Sequence, residues 1–425
     1  MKNQMSLKST NLYKNLQKQY SRRINLNLSR IKKVLKKLDN PHLDLKNPIN
    51  ILGSDGKMSV LTSLKFFLEA ENKSVNTFTS PHLYDVRQRI YLKNRFISVN
   101  EIKKFKKIIE KKKVKLTLFE LLTCIYILAA KSNNATFNLI ESGLLFKKDS
   151  TNLWGFPKSQ VVTNINFQHQ DWVKPKTIKE ICNQKVGYLS KKTVIYVAKQ
   201  KPSTLKIIKS FLRKNPSKVI YDNNWRLQKV KNNYVFRDKK NYIPIQSKHI
   251  HSEGLINNLC LAIKIALDLG VKRKTIIKVI PKIKFEGRLQ YLKRGKLLKN
   301  VGKNEDLLID GCHSYSSAVN LNNYLKKIKK PIYGIWGMQK NKLPEKFIQA
   351  FYKNLNKIIT VKIPNEPNSL DPKILSAIAK KNGFEAEPAK NVINALKKLS
   401  NKKKKTIVIF GSLYLVGDVL RKNKF

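Results

Sequence analysis

The stretch Gly53-Ser54-Asp55-Gly56-Lys57-Met58-Ser59 limits what this chain can fold into more than any other segment. A short apolar run (Ile49, Ile51, Leu52) precedes it, and residues 60 to 72 follow with Val60, Leu61, Leu64, Phe67 and Leu68 at helical spacing. Strand, glycine loop, helix is an order that can wrap a phosphate. Glycines let backbone N–H groups turn inward, the helix N-terminus adds positive potential, a lysine reaches the outer phosphates and a hydroxyl ligates magnesium. Lys57 and Ser59 suit the last two roles. The spacing departs from G-x-x-x-x-G-K-[ST], because Gly53 lies three before Gly56 and Met58 separates the lysine from the serine. On the loop alone, an ordinary glycine turn stays open.

The chain's 425 residues suffice for two or three domains with their own cores. A formal net charge of +60 points first to nucleic acid or an anionic membrane. The lysines, however, run through nearly the whole length, so a compositional bias is the simpler reading and nucleic acid is disfavoured as a partner. A basic surface would still attract ATP and a polyanionic substrate. Cys124, Cys182, Cys260 and Cys312 lie far apart with no C-x-x-C pair, which suggests neither zinc site nor disulfide framework and fits a reducing cytoplasm. The polar N-terminus has no apolar leader, and the longest apolar stretch, 116 to 130, contains Glu120 and is too short to span a bilayer. A soluble, cytoplasmic protein without a membrane partner is expected.

In chain order, residues 1 to 20 read as a frayed polar arm, and 24 to 38 as a helix through Ile24, Leu28, Ile31, Val34, Leu35 and Leu38. Past the glycine loop and its helix, Val75 to Thr79 reads as a strand stopped by Pro81, leaving Ser80 and His82 at its carboxyl end. Open α/β sheets place ligands at such ends. A helix from Thr117 to Ala130 precedes a strand from Thr136 to Ile140 that ends on Glu141, a residue type that ligates magnesium beneath nucleotides. A further strand, Val161 to Phe167, leads to His169. Each residue alone has a bland reading as a cap or a satisfied structural side chain; three strands ending in Ser80, Glu141 and His169 weaken that reading. A helix over 177 to 186 carries Lys185, Thr193 to Val197 is another strand, and a helix over 255 to 268 contains Asn257 and Asn258. This alternation predicts an α/β fold with a doubly wound, mostly parallel sheet over 1–287. A second, smaller Rossmann-like α/β domain is expected over 288–425, with strands at 307–311, 331–337, 358–363 and 406–411. Lys402 to Lys405 reads as a solvated loop.

In order, the chain carries the loop Gly53 to Ser59, T-S-P-H-L at Thr79 to Leu83, Ile140 to Asn152, Thr163 to Val173, Gln184-Lys185-Val186-Gly187, Glu286-Gly287-Arg288, Asp310-Gly311-Cys312-His313-Ser314 and G-S-L-Y-L-V-G from Gly411 to Gly417. This series resembles the folylpolyglutamate synthase and dihydrofolate synthase family of the Mur-ligase superfamily, whose pattern includes G-T-N-G-K-G-S, T-S-P-H-L, T-N-I-x-x-D-H-x-D-W-L and D-G-A-H-N. The resemblance implies an ATP-dependent ligase that adds L-glutamate to dihydropteroate, to a folate, or to both, through an acyl phosphate. It implies that Asp55, Gly56, Lys57 and Met58 hold the ATP phosphates, with Ser59 closing the loop. Ser80, Glu141 and His169 would bind Mg2+, in two ions, and Lys185 matches a lysine that becomes carbamylated. Lys57, Lys185 and His169 are thus the candidate catalytic residues. Asn257, Arg288 and Asp310 match ATP-contacting positions, Arg288 completing the site only as the domains close. Thr117, Leu118, Phe119 and Glu120, with Lys147, Lys148 and Asp149, align with segments lining the pterin or folate pocket. A monomer acting on small molecules is expected.

The departures from the family pattern bear on activity. Met58 replaces a loop glycine, Leu145-Phe146 replaces a glycine pair, Gln168 replaces the aspartate before the histidine, Gln184 replaces a glutamate, and Asn341 stands where aspartate is usual. Loss of loop glycines could strain the backbone or push a side chain toward phosphate. An active, diverged ligase is the favoured reading, because the magnesium positions all survive. A superfamily ligase for another acid and amino acid, or a basic nucleotide- or nucleic-acid-binding relative without turnover, are the alternatives.

Overall fold

The computed structural model describes residues 2–21, 25–230, 233–401 and 403–424. Contacts divide the chain into two units, residues 1–247 with 255–283, and residues 248–254 with 284–425. The division at 283/284 places Gly287, the boundary expected from sequence, inside the second unit. Two bonds hold it there: Gly311 N donates to Gly287 O at 2.8 Å, and Leu289 N to the Asp310 carboxylate at 2.8 Å.

The first unit has strands β1 (Pro48–Leu52), β2 (Val75–Phe78), β3 (Ile90–Leu92), β4 (Arg95–Phe96), β5 (Phe137–Glu141), β6 (Ser159–Val162), β7 (Val194–Val197) and β8 (Lys218–Tyr221). They form one sheet in the order β4-β3-β2-β5-β1-β6-β7-β8, parallel from β2 to β8 with β3 and β4 antiparallel at one edge. β1 sits between β5 and β6 and is buried along its whole length, which suits an apolar run without period-two alternation. The sequence reading missed the β3–β4 edge. It also missed a separate antiparallel sheet of β9 (Arg226–Val230), β10 (Asn233–Arg237) and β11 (Tyr242–Ile245), which interrupts the strand–helix alternation.

The helices of this unit are α1 (Lys2–Gln19), α2 (Ser29–Lys37), α3 (Lys57–Ala70), α4 (Val99–Glu110), α5 (Leu118–Asn133), α6 (Ile178–Val186), α7 (Pro202–Leu212), α8 (Glu253–Asp268, from Leu255 onward) and α9 (Arg273–Val279). α1 corrects the expectation of a frayed arm. Leu12 and Leu16, four apart, form an apolar stripe buried in the core with α2 and α5, and a count of polar residues hides such a stripe. Ile31, Val34 and Leu35 carry α2 into that core as expected, while Ile24 lies outside the described residues. A second cluster joins Leu52 and Val162 to Ile181, Cys182 and Val186 of α6 and Ile208 of α7.

The second unit has β12 (Gln290–Tyr291), β13 (Glu305–Asp310), β14 (Ile332–Trp336), β15 (Lys357–Thr360), β16 (Ala386–Pro388) and β17 (Lys405–Phe410), ordered β12-β13-β17-β14-β15-β16 and parallel except for β12. Helices α10 (Tyr315–Leu325), α11 (Pro344–Gln349), α12 (Pro372–Lys381), α13 (Val392–Leu399) and α14 (Leu413–Lys424) connect and follow them. Lys405 is not the solvated loop residue expected. It opens β17, is 2 % exposed, donates to Leu399 O at 2.7 Å and lies 3.8 Å from the Glu305 carboxylate. Lys402 lies outside the described residues.

Candidate active site

Strand register gathers four carboxyl ends at one edge of the large sheet. Ile51 pairs with Glu141, Leu52 with Val162 and Phe78 with Ile140, so Ser80, Glu141, Gly53 and the segment after Val162 leave the sheet side by side. The chain runs from β1 to β2 on one side and reaches β6 on the other, which makes this edge a topological switch point.

Gly53 and Gly56 require glycine for different neighbours. Gly53 has φ 142, and a Cβ there would lie 2.1 Å from Thr163 Oγ1; Gly56 has φ 91, and its Cβ would lie 2.6 Å from the Asn258 amide. Gly56 caps α3, so the first free N–H groups of that helix border the loop. Lys57 Nζ donates to Gly53 O and Ser54 O at 3.2 Å each, while Ser59 Oγ donates to Gly56 O at 2.9 Å and accepts from Asn258 Nδ2 at 2.9 Å. Asn258, next to the expected nucleotide contact Asn257, is the α8 residue against the loop, and the sequence reading did not single it out.

Met58 corrects the concern about lost glycines. It lies in the first turn of α3 without a positive φ, and its side chain points outward, 38 % exposed. Leu145 and Phe146, in place of a glycine pair, are buried in the α6–α7 core, again without a positive φ.

Lys185, from the last turn of α6, is 1 % exposed and donates to Gly53 O at 2.9 Å and Leu144 O at 2.7 Å. Burial, followed by repulsion from the Lys57 ammonium, pulls its pKa from 10.5 down to about 7. Two ammonium groups thus converge on the Gly53 carbonyl, where an anion would relieve their repulsion.

Ser80 and Glu141 meet: Ser80 N donates to Glu141 Oε2 at 3.1 Å, and Glu141 is 4 % exposed. His169 follows at the same edge in a left-handed conformation, φ 65, at the start of a short 3-10 turn. Among the described residues no group of three or more His, Cys, Asp and Glu side chains is arranged to hold a metal; the candidate set draws its third member from a serine. His82 accepts at Nδ1 from Arg89 Nε at 2.9 Å and meets Tyr13 of α1 edge-on at 4.5 Å. Burial and then Arg89 hold its pKa well below 6.5, so it is neutral with the proton on Nε2.

The expected substrate-lining residues divide. Thr117 and Glu120 form the capping box of α5, and Glu120 is paired with Arg30 at 2.9 Å. Asp149 is 2 % exposed and accepts from Gly143 N, Leu144 N, Thr151 N and Thr151 Oγ1, tying together the turn after β5. Both carboxylates are thus bonded within the scaffold. Leu118 is buried in the α1–α5 core, whereas Phe119 is half-buried and bounds Gly143, whose Cβ would lie 2.8 Å from its ring. Lys148 is exposed, and Lys147 Nζ stands 4.3 Å from the Tyr188 ring centroid. In the second unit, Asp310 is 6 % exposed and accepts from Leu289 N and Cys312 N at 2.8 Å each. Burial raises its pKa and neighbouring Arg288 opposes the rise.

Residues 293–422 match the family model described as dihydrofolate synthetase, C-terminal domain. Over 94 % of its length the chain is 25 % identical to the dihydrofolate synthetase of Saccharomyces cerevisiae, covering 98 % of that protein. The chain is thus similar to the dihydrofolate synthase and folylpolyglutamate synthase family over nearly its whole length. Solved structures agree with that similarity in fold. Mycobacterium tuberculosis folylpolyglutamate synthase complexed with ADP and AMPPCP superposes with a TM-score of 0.85 at 20 % identity, covering 98 % of each chain. A bifunctional folylpolyglutamate synthase/dihydrofolate synthase with Mn, AMPPNP and L-glutamate bound does so at 0.81 and 19 % identity, covering 94 % of each. No helix among the described residues is long and apolar enough to cross a membrane.

Proposed function

We propose that this protein is an ATP-dependent amide ligase that joins the amine of L-glutamate to the carboxylate of dihydropteroate or of a folate. The convergence of Lys57 and Lys185 on Gly53 O, within a glycine loop that opens α3, carries the reading. That arrangement suits a polyphosphate, because the backbone N–H groups at the start of α3 and the Lys57 ammonium face one small volume. ATP phosphorylates the substrate carboxylate, releasing ADP; the glutamate amine then attacks the acyl carbon, loses a proton and expels phosphate. Lys57 offsets charge on the transferring phosphoryl oxygens.

Ser80, Glu141 and His169 are the residues that would hold magnesium, in two ions by the family resemblance. A buried carboxylate and a hydroxyl are hard oxygen donors that fit magnesium, and an imidazole extends the set to manganese. When bound, the metal supplies further charge neutralisation at the phosphates. Lys185 would be carbamylated: its neutral amine adds to carbon dioxide and releases a proton. A pKa of about 7 supplies that neutral amine near neutrality, and the carbamate turns Lys57–Lys185 repulsion into attraction. Asp55 to Ser59 would contact the phosphates, while Asn257, Arg288 and Asp310 remain proposed nucleotide contacts and Phe119, Lys147 and Lys148 proposed pocket residues. The unstrained Met58 backbone favours an active enzyme.

ADP release in a coupled assay tests this. It should require both L-glutamate and a pterin substrate, and it should vanish in Lys57→Ala. Dihydropteroate and tetrahydrofolate assayed separately distinguish the two acceptors. Turnover indifferent to either co-substrate would reject the reaction.

A further inference from the structure

Two side-chain amides hold the Asp55 carboxylate. Asn166 Nδ2 donates to its Oδ2 at 2.6 Å, and Gln168 Nε2 lies 3.2 Å from both of its oxygens. Backbone bonds run between the same two segments: Ser54 N and Asp55 N donate to Asn164 O at 2.8 and 3.2 Å, and Asn166 N donates to Ser54 Oγ at 3.2 Å. The phosphate loop is thereby tied to the segment that ends in His169. Gln168 immediately precedes that histidine, whose left-handed φ persists only where its neighbours enforce it.

In the family pattern the Asp55 position carries asparagine and the Gln168 position carries aspartate. Here the loop supplies the acceptor and the later segment the donor. The exchange has an electrostatic logic. A carboxylate at both positions would place two like charges at hydrogen-bond distance, and one of them would have to take a proton or swing away. A carboxylate in a phosphate loop also opposes an incoming anion unless donors hold it aside.

We propose that Gln168, assisted by Asn166, is a positioning residue for nucleotide binding, and that Asp55 and Gln168 form a matched acceptor–donor pair in which Gln168→Asp alone is worse than the double exchange. The proposal rests on the reading of Gly53 to Ser59 as the nucleotide loop. Through Asp55 the amide of Gln168 sets the approach of the loop to phosphate, and through its own backbone it sets the place of His169.

The test measures binding of AMPPNP with magnesium to the full chain, without glutamate or pterin, for Gln168→Asp, Asp55→Asn, Gln168→Ala and the double variant Asp55→Asn/Gln168→Asp. Thermal unfolding of each variant is recorded alongside. Gln168→Asp should weaken binding about tenfold or more, the scale of losing a hydrogen bond to a charged group. The double variant should return to within about threefold of the unsubstituted chain, a coupling that only residues in contact show. Asp55→Asn alone should be mild, since its amide oxygen still accepts from Gln168. Unaltered binding in Gln168→Asp, or a double variant no tighter than Gln168→Asp, overturns the pair. Should Gln168→Asp fail to fold, Gln168→Ala decides, and unchanged binding there overturns the positioning role. Intact AMPPNP binding without glutamate-dependent turnover counts against the proposed reaction and not against the pair.

Discussion

Lys185 offers the most quantitative prediction. It is a buried ammonium whose pKa falls from 10.5 to about 7 because burial and Lys57 both oppose its charge. The native state therefore binds fewer protons than the unfolded state between those two values, and stability rises with pH across that window. Below about pH 7 both states are protonated and the penalty is at its full value, about 4 to 5 kcal/mol by the size of the shift. Between about pH 7 and pH 9 roughly 2 kcal/mol of it should be relieved, at a limiting slope of about 1.4 kcal/mol per pH unit. Lys185→Met keeps a similar stem and removes the titration. Denaturant unfolding of both proteins in carbonate-free buffer, from about pH 6 to about pH 9, isolates the lysine as the difference between the two curves. That difference should be flat at the acid end and then move in favour of the lysine protein. Added bicarbonate should widen it further at alkaline pH, because a carbamate removes the unfavourable charge. A difference that stays level from pH 7 to pH 9 refutes the claim that the buried ammonium is destabilised.

Three further outcomes follow from the site. Gly56→Ala combines a left-handed φ with a Cβ 2.6 Å from the Asn258 amide, and should cost about 1–3 kcal/mol of nucleotide binding, read as a rise in the dissociation constant. Met58→Gly should lower stability by up to about 1 kcal/mol in thermal unfolding without raising kcat, because Met58 is helical and unstrained; a faster enzyme would return Met58 to suspicion. Glu120→Ala removes a cap and leaves Arg30 unpaired, so it should cost about 2–3 kcal/mol of stability while KM for the pterin substrate stays within about twofold.

The parts of the site that were legible in sequence are those whose meaning is local. A glycine loop between a buried strand and a helix can be read from a dozen residues, and Ser80 and Glu141 could be placed because each lies at the end of an apolar run that is a strand; the run expected to carry His169, Val161 to Phe167, is a strand only to Val162. The scaffold bonds of Glu120 and Asp149 were not legible, for a related reason. Each is a charge beside a candidate pocket, yet one pairs with Arg30 on another helix and the other closes its own turn, contacts that no spacing rule reveals. Leu12 and Leu16 were lost in a polar segment because a two-residue stripe matters only once another core accepts it.

The sequence by itself determined the alternation of strand and helix, the phosphate loop and the carboxyl-end residues, because hydrophobic period and glycine freedom act within a few residues. Tertiary structure alone decided which groups touch. It brought Asn258 to Ser59 across 199 positions, Asn166 to Asp55 across 111, and Lys185 to Gly53 across 132. Those contacts depend on strand order and on the packing of helices against the sheet, both cooperative properties of the whole first unit, and that packing is also what strips water from Lys185 and lowers its pKa.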